Sequence, residues 1–122
     1  AVIAHARSRG LFTMPGVFTP TEALAAARAG ASALKFFPAS VLGPDGIKAI
    51  RAVLPADLEI GAVGGVSERD FVAYAATGLR TFGLGSSLYR PGMSAGDVRQ
   101  RASAAIAAYD AVFAGAVKAR PQ

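Results

Sequence analysis

The sequence contains no cysteine and only one histidine, His5. The absence of cysteine excludes disulfides and thiolate metal sites, and a single histidine leaves no constellation of transition-metal ligands, so we predict no metal site. No apolar run approaches the ~20 residues that a membrane-spanning helix needs, so we predict a soluble globular chain without a membrane partner. His5 itself lies in the opening helical segment, where we expect a surface position.

Negative charge is also scarce, with 8 Asp and Glu against 13 Lys and Arg, which gives a net charge of +5. A basic excess can indicate a nucleic-acid partner. Here the arginines are scattered at helical spacing, and no basic cluster is interleaved with aromatic residues. We therefore interpret them as solvated helix surface and predict no nucleic-acid partner. A basic domain that binds nucleic acid is the alternative.

Helical and apolar segments alternate along the 122 residues. Three glycines each end an Ala-rich helical segment and precede an apolar strand: Gly10, Gly30 and Gly78. A further apolar segment starts at Leu58, so that strands begin at steps of roughly 20 to 27 residues, the length of one strand and one crossover helix. Thr19-Pro20-Thr21-Glu22 carries the N-cap, the proline and the acid that begin a helix. Gly43-Pro44-Asp45 is predicted to introduce the next helix, GIKAIRAVL, and Ser67 to open a helix over residues 68–77, ERDFVAYAAT.

This alternation predicts an α/β fold with a parallel sheet covered by helices. Residues 1–10 are interpreted as the end of a preceding helix, 11–116 as four β-α units, and 117–122 as a frayed tail. Because the chain opens on the end of a helix without an initiator Met, we expect that sequence upstream is missing. The pattern leaves open whether the sheet closes into a barrel or forms an open doubly wound sheet.

Lys35 lies in the apolar segment ASALKFFPA, which is predicted to be a buried strand. Alternation puts Ala33, Lys35 and Phe37 on one face and Leu34 and Phe36 on the other. Since a parallel strand is usually covered on both faces, the amine is expected to be shielded from water, which favours its neutral form. A neutral amine is what attack on a ketone requires. The alternative is a lysine at a strand end that reaches solvent or pairs with a carboxylate.

Glycine-bearing turns end the next two strands, Gly64-Gly65-Val66-Ser67 and Gly83-Leu84-Gly85-Ser86-Ser87. Glycines allow backbone N–H groups to approach a phosphate closely. In (β/α)8 barrels the phosphate site is often built from the loops after strands seven and eight, which would make these strands five to eight of a barrel. Tight turns that bind no ligand are the alternative, and Arg90 just beyond is interpreted as a solvated loop residue.

The segments PGVFTPTEALAAARAGASALKFFPAS, AVGGVSERDF and GLGSSLYRPG resemble the 2-keto-3-deoxy-6-phosphogluconate and 2-keto-3-deoxy-6-phosphogalactonate aldolase family. Members of this family are class I, Schiff-base aldolases that release pyruvate. The resemblance runs from about Gly10 to Ala111, and its most specific element is LKFFP in register with both glycine turns. It implies a (β/α)8 TIM barrel, of which this chain would form the C-terminal half, about β5 to α8.

Carried onto this sequence, the resemblance implies that Lys35 is the catalytic residue, which forms the Schiff base with the 2-keto carbon. Pro15 and Phe37 would then line the pyruvate end. The 6-phosphate would be held by Gly64 and Gly65 together with Gly85 and Ser86.

At the first glycine pair this sequence reads Ala62-Val63-Gly64-Gly65, which is similar to the galactonate-type enzymes of the family. The gluconate-type enzymes resemble Pro-Thr-Gly-Gly at the same place. Val63 would replace a hydroxyl near C4, the carbon whose stereochemistry separates the two sugar acids. The resemblance therefore favours 2-dehydro-3-deoxy-6-phosphogalactonate as substrate, with the phosphogluconate epimer as the alternative.

The family's general acid/base is a glutamate on an early strand, which this sequence does not contain. A half-barrel that binds phosphate without turnover is therefore a second alternative. The resemblance also implies a cytoplasmic homotrimer without metal or organic cofactor, whose ligands are a phosphorylated keto-deoxy sugar acid and pyruvate.

Overall fold

A computed structural model describes residues 1–117, with side chains up to residue 114. Of the tail predicted to fray, residues 118–122 lie outside this described part. Helices and strands alternate along it. In chain order the elements are α1 (Val2–Ser8), β1 (Gly16–Val17), α2 (Pro20–Arg28), β2 (Ala33–Phe36), α3 (Ala39–Arg51), β3 (Glu59–Val63), a 3-10 turn (Glu68–Asp70), α4 (Phe71–Ala75), β4 (Thr81–Gly83) and α5 (Ala95–Val117).

The four strands form one sheet in the order β1-β2-β3-β4, and every neighbouring pair is parallel. Sequential parallel neighbours need a crossover between them, and here each crossover contains a helix. The predicted α/β fold with a parallel sheet is therefore confirmed. Since parallel strands carry their carboxyl ends at one edge, the segments that follow all four strands meet at the same edge of the sheet.

The helix start at Thr19 has the predicted cap. The Thr19 N–H donates to Glu22 Oε2 at 2.9 Å, and the Glu22 N–H donates back to Thr19 Oγ1 at 3.2 Å. Ser67 and Asp70 form a similar pair, with the Ser67 N–H 2.8 Å from Asp70 Oδ2. These reciprocal bonds satisfy backbone donors that a helix end would otherwise leave unpaired.

Three elements differ from the sequence-based prediction. The segment 11–17 is regular strand only at Gly16–Val17, because Pro15 has no N–H to give a ladder. The third helix begins at Ala39 instead of after Gly43, and it breaks at Gly43, whose φ of 66° and ψ of 170° are not helical. The helix predicted over 68–77 is a 3-10 turn followed by the short α4, which ends at Ala75.

The hydrophobic core lies between the helices and one face of the sheet. Leu34 and Phe36 of β2 are fully buried there, together with Ile47 of α3. The other face, called the inner face below, carries Lys35. This alternation is the one predicted from the sequence, and burial of large apolar side chains on one face fixes the register of β2.

Aromatic side chains attach α5 to the last strand. The ring of Phe82 lies 4.6 Å from that of Phe71 and 6.1 Å from that of Phe113, measured between centroids. Tyr109 also donates its hydroxyl to the Arg80 carbonyl at 3.0 Å. The helix is thereby held beside β4. Within residues 1–117, no helix has the length and apolarity needed to cross a membrane.

Candidate active site

Lys35 projects from the middle of β2 on the inner face. Its register partners are Gly16 on β1 and Gly61 on β3, so the positions beside it on both neighbouring strands carry no side chain. A methyl group placed on Gly16 would lie 3.3 Å from Lys35 Cε and 3.9 Å from Nζ. The lysine therefore lies across β1, in space that only a glycine leaves open.

Lys35 is less enclosed in the structure than the sequence predicted. The side chain is half-buried, whereas the flanking Leu34 and Phe36 are fully buried. The reason is that helices cover the opposite face of the sheet, while the register partners of Lys35 on the inner face, Gly16 and Gly61, have no side chains. The amine is therefore positioned by the sheet and accessible from the inner face.

Phe37 connects Lys35 to the first glycine turn. The Lys35 Nζ lies 5.5 Å from the centroid of the Phe37 ring, within the range of a cation–π contact. The same ring occupies the space beside Gly64, where a methyl group would lie 2.8 Å from two ring carbons. Phe37, which is 51% exposed, thus forms a wall shared by the amine and the turn.

The first turn, Gly64-Gly65, needs glycine at both positions. The φ angles are +93° and +72°, in the region that other residues rarely adopt. At Gly65 a methyl group would also lie 2.7 Å from Ser40 Oγ. Among the described residues, the Gly65 N–H donates to no backbone carbonyl, so it is available for a ligand.

The second turn follows β4 and meets the first across the register pair Val63 and Gly83. A methyl group on Gly83 would lie 2.7 Å from a γ-carbon of Val63, so the valine packs over the backbone of β4. Beyond it, the Ser86 N–H has no backbone acceptor within residues 1–117. Two turns with available N–H groups therefore lie side by side at one edge of the sheet.

A cavity of about 350 Å³ opens between the two turns. This volume is in the range of small-molecule sites. Apolar side chains, among them Val66 and Leu84, provide much of its wall, and the turns contribute backbone polar groups. Six of the eight residues predicted for the site line this cavity: Phe37, Val63, Gly64, Gly65, Gly85 and Ser86.

The other two predicted residues, Lys35 and Pro15, lie outside the cavity lining. Lys35 contacts the Phe37 ring, which lines the cavity. Pro15 accepts the Lys35 N–H with its carbonyl oxygen at 2.9 Å, so it fixes the backbone of the lysine. The structure therefore brings the eight residues into one region, with the amine beside the cavity.

The residues set aside in the sequence analysis stay outside the site. His5 is exposed on α1. Arg90 is exposed too, and its Nε donates to the Ser86 carbonyl at 3.0 Å. The part of the chain that the structure describes holds no group of three or more His, Cys, Asp or Glu side chains arranged to bind a metal ion.

Sequence reasoning missed the roles of two residues at this edge. Ser40 contacts the first turn. Ser87 donates its hydroxyl to the Val66 carbonyl at 3.0 Å and so joins the two turns. Neither has a sequence signal, because each acts through a partner that is distant in the chain.

Comparison with known proteins gives consistent matches. The family described as "Aldolase: KDPG and KHG aldolase" matches residues 1–108. The chain is 77% identical over 115 residues to the "Probable 2-dehydro-3-deoxy-6-phosphogalactonate aldolase" of Rhizobium meliloti (strain 1021), covering 94% of this chain and 54% of that protein. It is 46% identical over 108 residues to the "2-dehydro-3-deoxy-6-phosphogalactonate aldolase" of Escherichia coli (strain K12), covering 88% and 53%.

Among solved structures, the one described as "Native KDPGal structure" is 44% identical and superposes with a TM-score of 0.87, covering 93% of this chain and 55% of that one. The chain spans about half the length of the curated relatives it matches. Its four β-α units thus correspond to part of a (β/α)8 TIM barrel, the fold of these neighbours.

Proposed function

This chain belongs to the KDPG and KHG aldolase family, and on that premise we propose that the natural protein is a class I aldolase. Its proposed reaction is the reversible cleavage of 2-dehydro-3-deoxy-6-phosphogalactonate to pyruvate and glyceraldehyde 3-phosphate. Lys35 is the proposed nucleophile. The two glycine turns are the proposed site of the 6-phosphate, and Phe37 and Pro15 the proposed walls of the pyruvate end.

In the proposed reaction the Lys35 amine attacks C2 of the substrate and, with loss of one water, forms a protonated imine. The C4 hydroxyl gives up its proton as the C3–C4 bond breaks, which releases glyceraldehyde 3-phosphate and leaves the electron pair of that bond in an enamine. Protonation at C3 and addition of water at C2 then release pyruvate and restore the amine. The family resemblance assigns the proton transfers to a glutamate that this sequence does not contain.

One observation carries this proposal: the Lys35 amine and the glycine-lined cavity are neighbours on the inner face and share the Phe37 ring. Lys35 Nζ lies 5.5 Å from the centroid of the Phe37 ring, and that ring lines the cavity. A ligand with a keto group at one end and a phosphate at the other would contact the amine and the glycine turns at the same time. Backbone N–H groups in glycine turns are well suited to the phosphate end.

The galactonate epimer is the proposed substrate for two reasons. The names of both curated relatives specify phosphogalactonate. In addition, Val63 lines the cavity with apolar carbon and offers no hydroxyl to the substrate. The phosphogluconate epimer stays the alternative, and a direct comparison of the two as substrates distinguishes them.

We further propose a homotrimer in the cytoplasm, as the family resemblance implies. The substrate class belongs to intracellular sugar catabolism, here the breakdown of galactose. Light scattering of the natural full-length protein after size-exclusion chromatography measures its mass, and a mass of three subunits is expected. A monomeric or dimeric mass contradicts the trimer without bearing on the reaction.

The test of the reaction is pyruvate release from each epimer by the natural full-length protein. We expect the phosphogalactonate to be cleaved with the higher kcat/KM and its unphosphorylated analogue with a much higher KM. Higher kcat/KM for the phosphogluconate contradicts the choice of epimer. Phosphate binding without pyruvate release from either substrate contradicts the aldolase proposal and supports a phosphate-binding module.

A further inference from the structure

The two glycine turns belong to different segments, and the ladder between their strands ends at Val63 and Gly83. Beyond that pair, Ser87 bridges the turns. Its hydroxyl donates to the carbonyl of Val66 at 3.0 Å, in a partly buried position. Val66 directly follows Gly64-Gly65 and is itself buried at 4% exposure, so the hydroxyl is anchored to a fixed point of the first turn.

Other bonds hold the backbone of the second turn. The Gly85 carbonyl accepts the N–H groups of Leu88 and Tyr89 at 2.9 and 3.0 Å. In a planar trans peptide the C=O and the following N–H point in opposite directions. The Ser86 N–H therefore points away from the body of the turn and towards its start, where the cavity lies.

Two arginines bind carbonyl groups of the same turn. Arg90 Nε donates to the Ser86 carbonyl, and Arg101 Nη1 of α5 donates to the Ser87 carbonyl, each at 3.0 Å. Both carbonyl oxygens are thus occupied by protein donors. A turn whose carbonyls are already bound presents its N–H groups to an anion with less repulsion from those oxygens.

Building on the proposed function, we propose that Ser87 is a positioning residue for the phosphate site. Its hydroxyl connects the second turn to the first at Val66, so that the N–H groups of Gly65 and Ser86 converge on one phosphate. Ser87 touches no ligand in this scheme and takes no part at the reacting carbons. Its loss is therefore expected to weaken the phosphate end selectively.

The experiment compares wild type, Ser87→Ala and Ser87→Thr in the natural full-length protein. Ser87→Thr keeps the hydroxyl. Ser8→Ala is the matched control, because Ser8 also donates its hydroxyl to a backbone carbonyl, that of His5 at 2.8 Å, on α1. Inorganic phosphate is the probe, titrated by NMR on the glycine amides. Kinetics with the phosphorylated substrate and its unphosphorylated analogue run in parallel.

For Ser87→Ala we expect the phosphate Kd and the KM of the phosphorylated substrate to rise by roughly three- to tenfold, the range for the loss of one hydrogen bond. The kcat and KM of the unphosphorylated analogue should not change, and Ser87→Thr and Ser8→Ala should behave as wild type. If Ser87→Ala does not fold, Arg101→Met, which removes the other bond to Ser87, should raise the same two constants.

The inference is overturned if wild type binds phosphate and a folded Ser87→Ala, or Arg101→Met in its place, binds it equally well. It is overturned as well if the variant weakens both substrates alike, since that indicates a general structural role. Failure of the proposed function is recognised separately, in the wild-type protein. That protein would then bind no phosphate at the glycine turns and form no covalent adduct with pyruvate, and the inference would fail with it.

Discussion

The side chain of Lys35 lies across Gly16 of the neighbouring strand, where a methyl group would come within 3.3 Å of Lys35 Cε. The register places these two residues opposite each other in the parallel pair β1 and β2. Since few real Cβ contacts are this short, any larger residue at position 16 must displace the lysine. Because Gly16 has no side chain, the Lys35 side chain can occupy the space beside it, and this sets the position of the amine.

Gly16→Ala is therefore expected to impair Schiff-base formation more than folding. Gly16 does not have a positive φ, so alanine fits the backbone, but its methyl group crowds Lys35. We expect the rate of pyruvate adduct formation to fall by about tenfold, equivalent to ~1.4 kcal/mol, while the unfolding free energy changes by less than ~1 kcal/mol. Rapid-quench trapping and denaturant unfolding of the full-length protein measure the two quantities.

Gly46→Ala is the matched control, because its methyl group would meet Leu42 at an ordinary 3.6 Å and lies on α3. It should leave adduct formation unchanged. Equal rates for Gly16→Ala and wild type would show that the amine does not need the space above Gly16.

Val63→Thr tests the proposed choice of epimer. Threonine has nearly the shape of valine, so the contact over Gly83 is kept while one methyl group becomes a hydroxyl. One added hydrogen bond is worth about 0.5–1.5 kcal/mol. We expect the ratio of kcat/KM for the phosphogluconate over the phosphogalactonate to rise by roughly three- to tenfold. An unchanged ratio would show that position 63 does not face C4.

The cap of α2 predicts a pH dependence of stability. Hydrogen bonds from the backbone N–H of Phe18, then from the backbone and hydroxyl of Thr19, hold the pKa of Glu22 below its ordinary value. A carboxylate with a lowered folded-state pKa stabilises the fold above its ordinary pKa of about 4.3, and this contribution is lost as the pH falls through the folded-state pKa.

Glu22→Gln removes this titration and keeps an acceptor oxygen. Between about pH 5 and pH 3 its unfolding free energy should fall less steeply than that of wild type. Denaturant unfolding at several pH values measures the two slopes. Identical slopes would contradict the contribution of this cap.

Local signals explain why much of the fold was predictable. The cap at Thr19, the apolar alternation in β2 and the glycines that follow the helices each act within a few residues, and the structure has the corresponding elements. Alternation alone predicted which residues of β2 lie on the inner face. The break of α3 at Gly43 was misjudged because glycine followed by proline is typical of a helix start as well as of a kink.

The site was predictable only in part for a related reason. Glycine turns and an isolated lysine are visible in the sequence, but their neighbours depend on register between strands. The partnership of Lys35 with Gly16 and Gly61 follows from pairing across 19 and 26 residues, which no local pattern specifies. Likewise, nothing in the sequence distinguishes Ser87, which joins the turns, from the adjacent Ser86.

The proposed reaction depends on an imine between Lys35 and a 2-keto acid. Incubation of the natural full-length protein with pyruvate and borohydride, followed by peptide mass spectrometry, tests it directly, because borohydride reduces the imine to a stable adduct. Lys48→Arg, at an exposed lysine of α3, is the matched control for Lys35→Arg. We predict one pyruvate adduct on Lys35, retained in Lys48→Arg and abolished in Lys35→Arg. An unmodified Lys35 in folded protein, or an adduct that persists in Lys35→Arg, would contradict it.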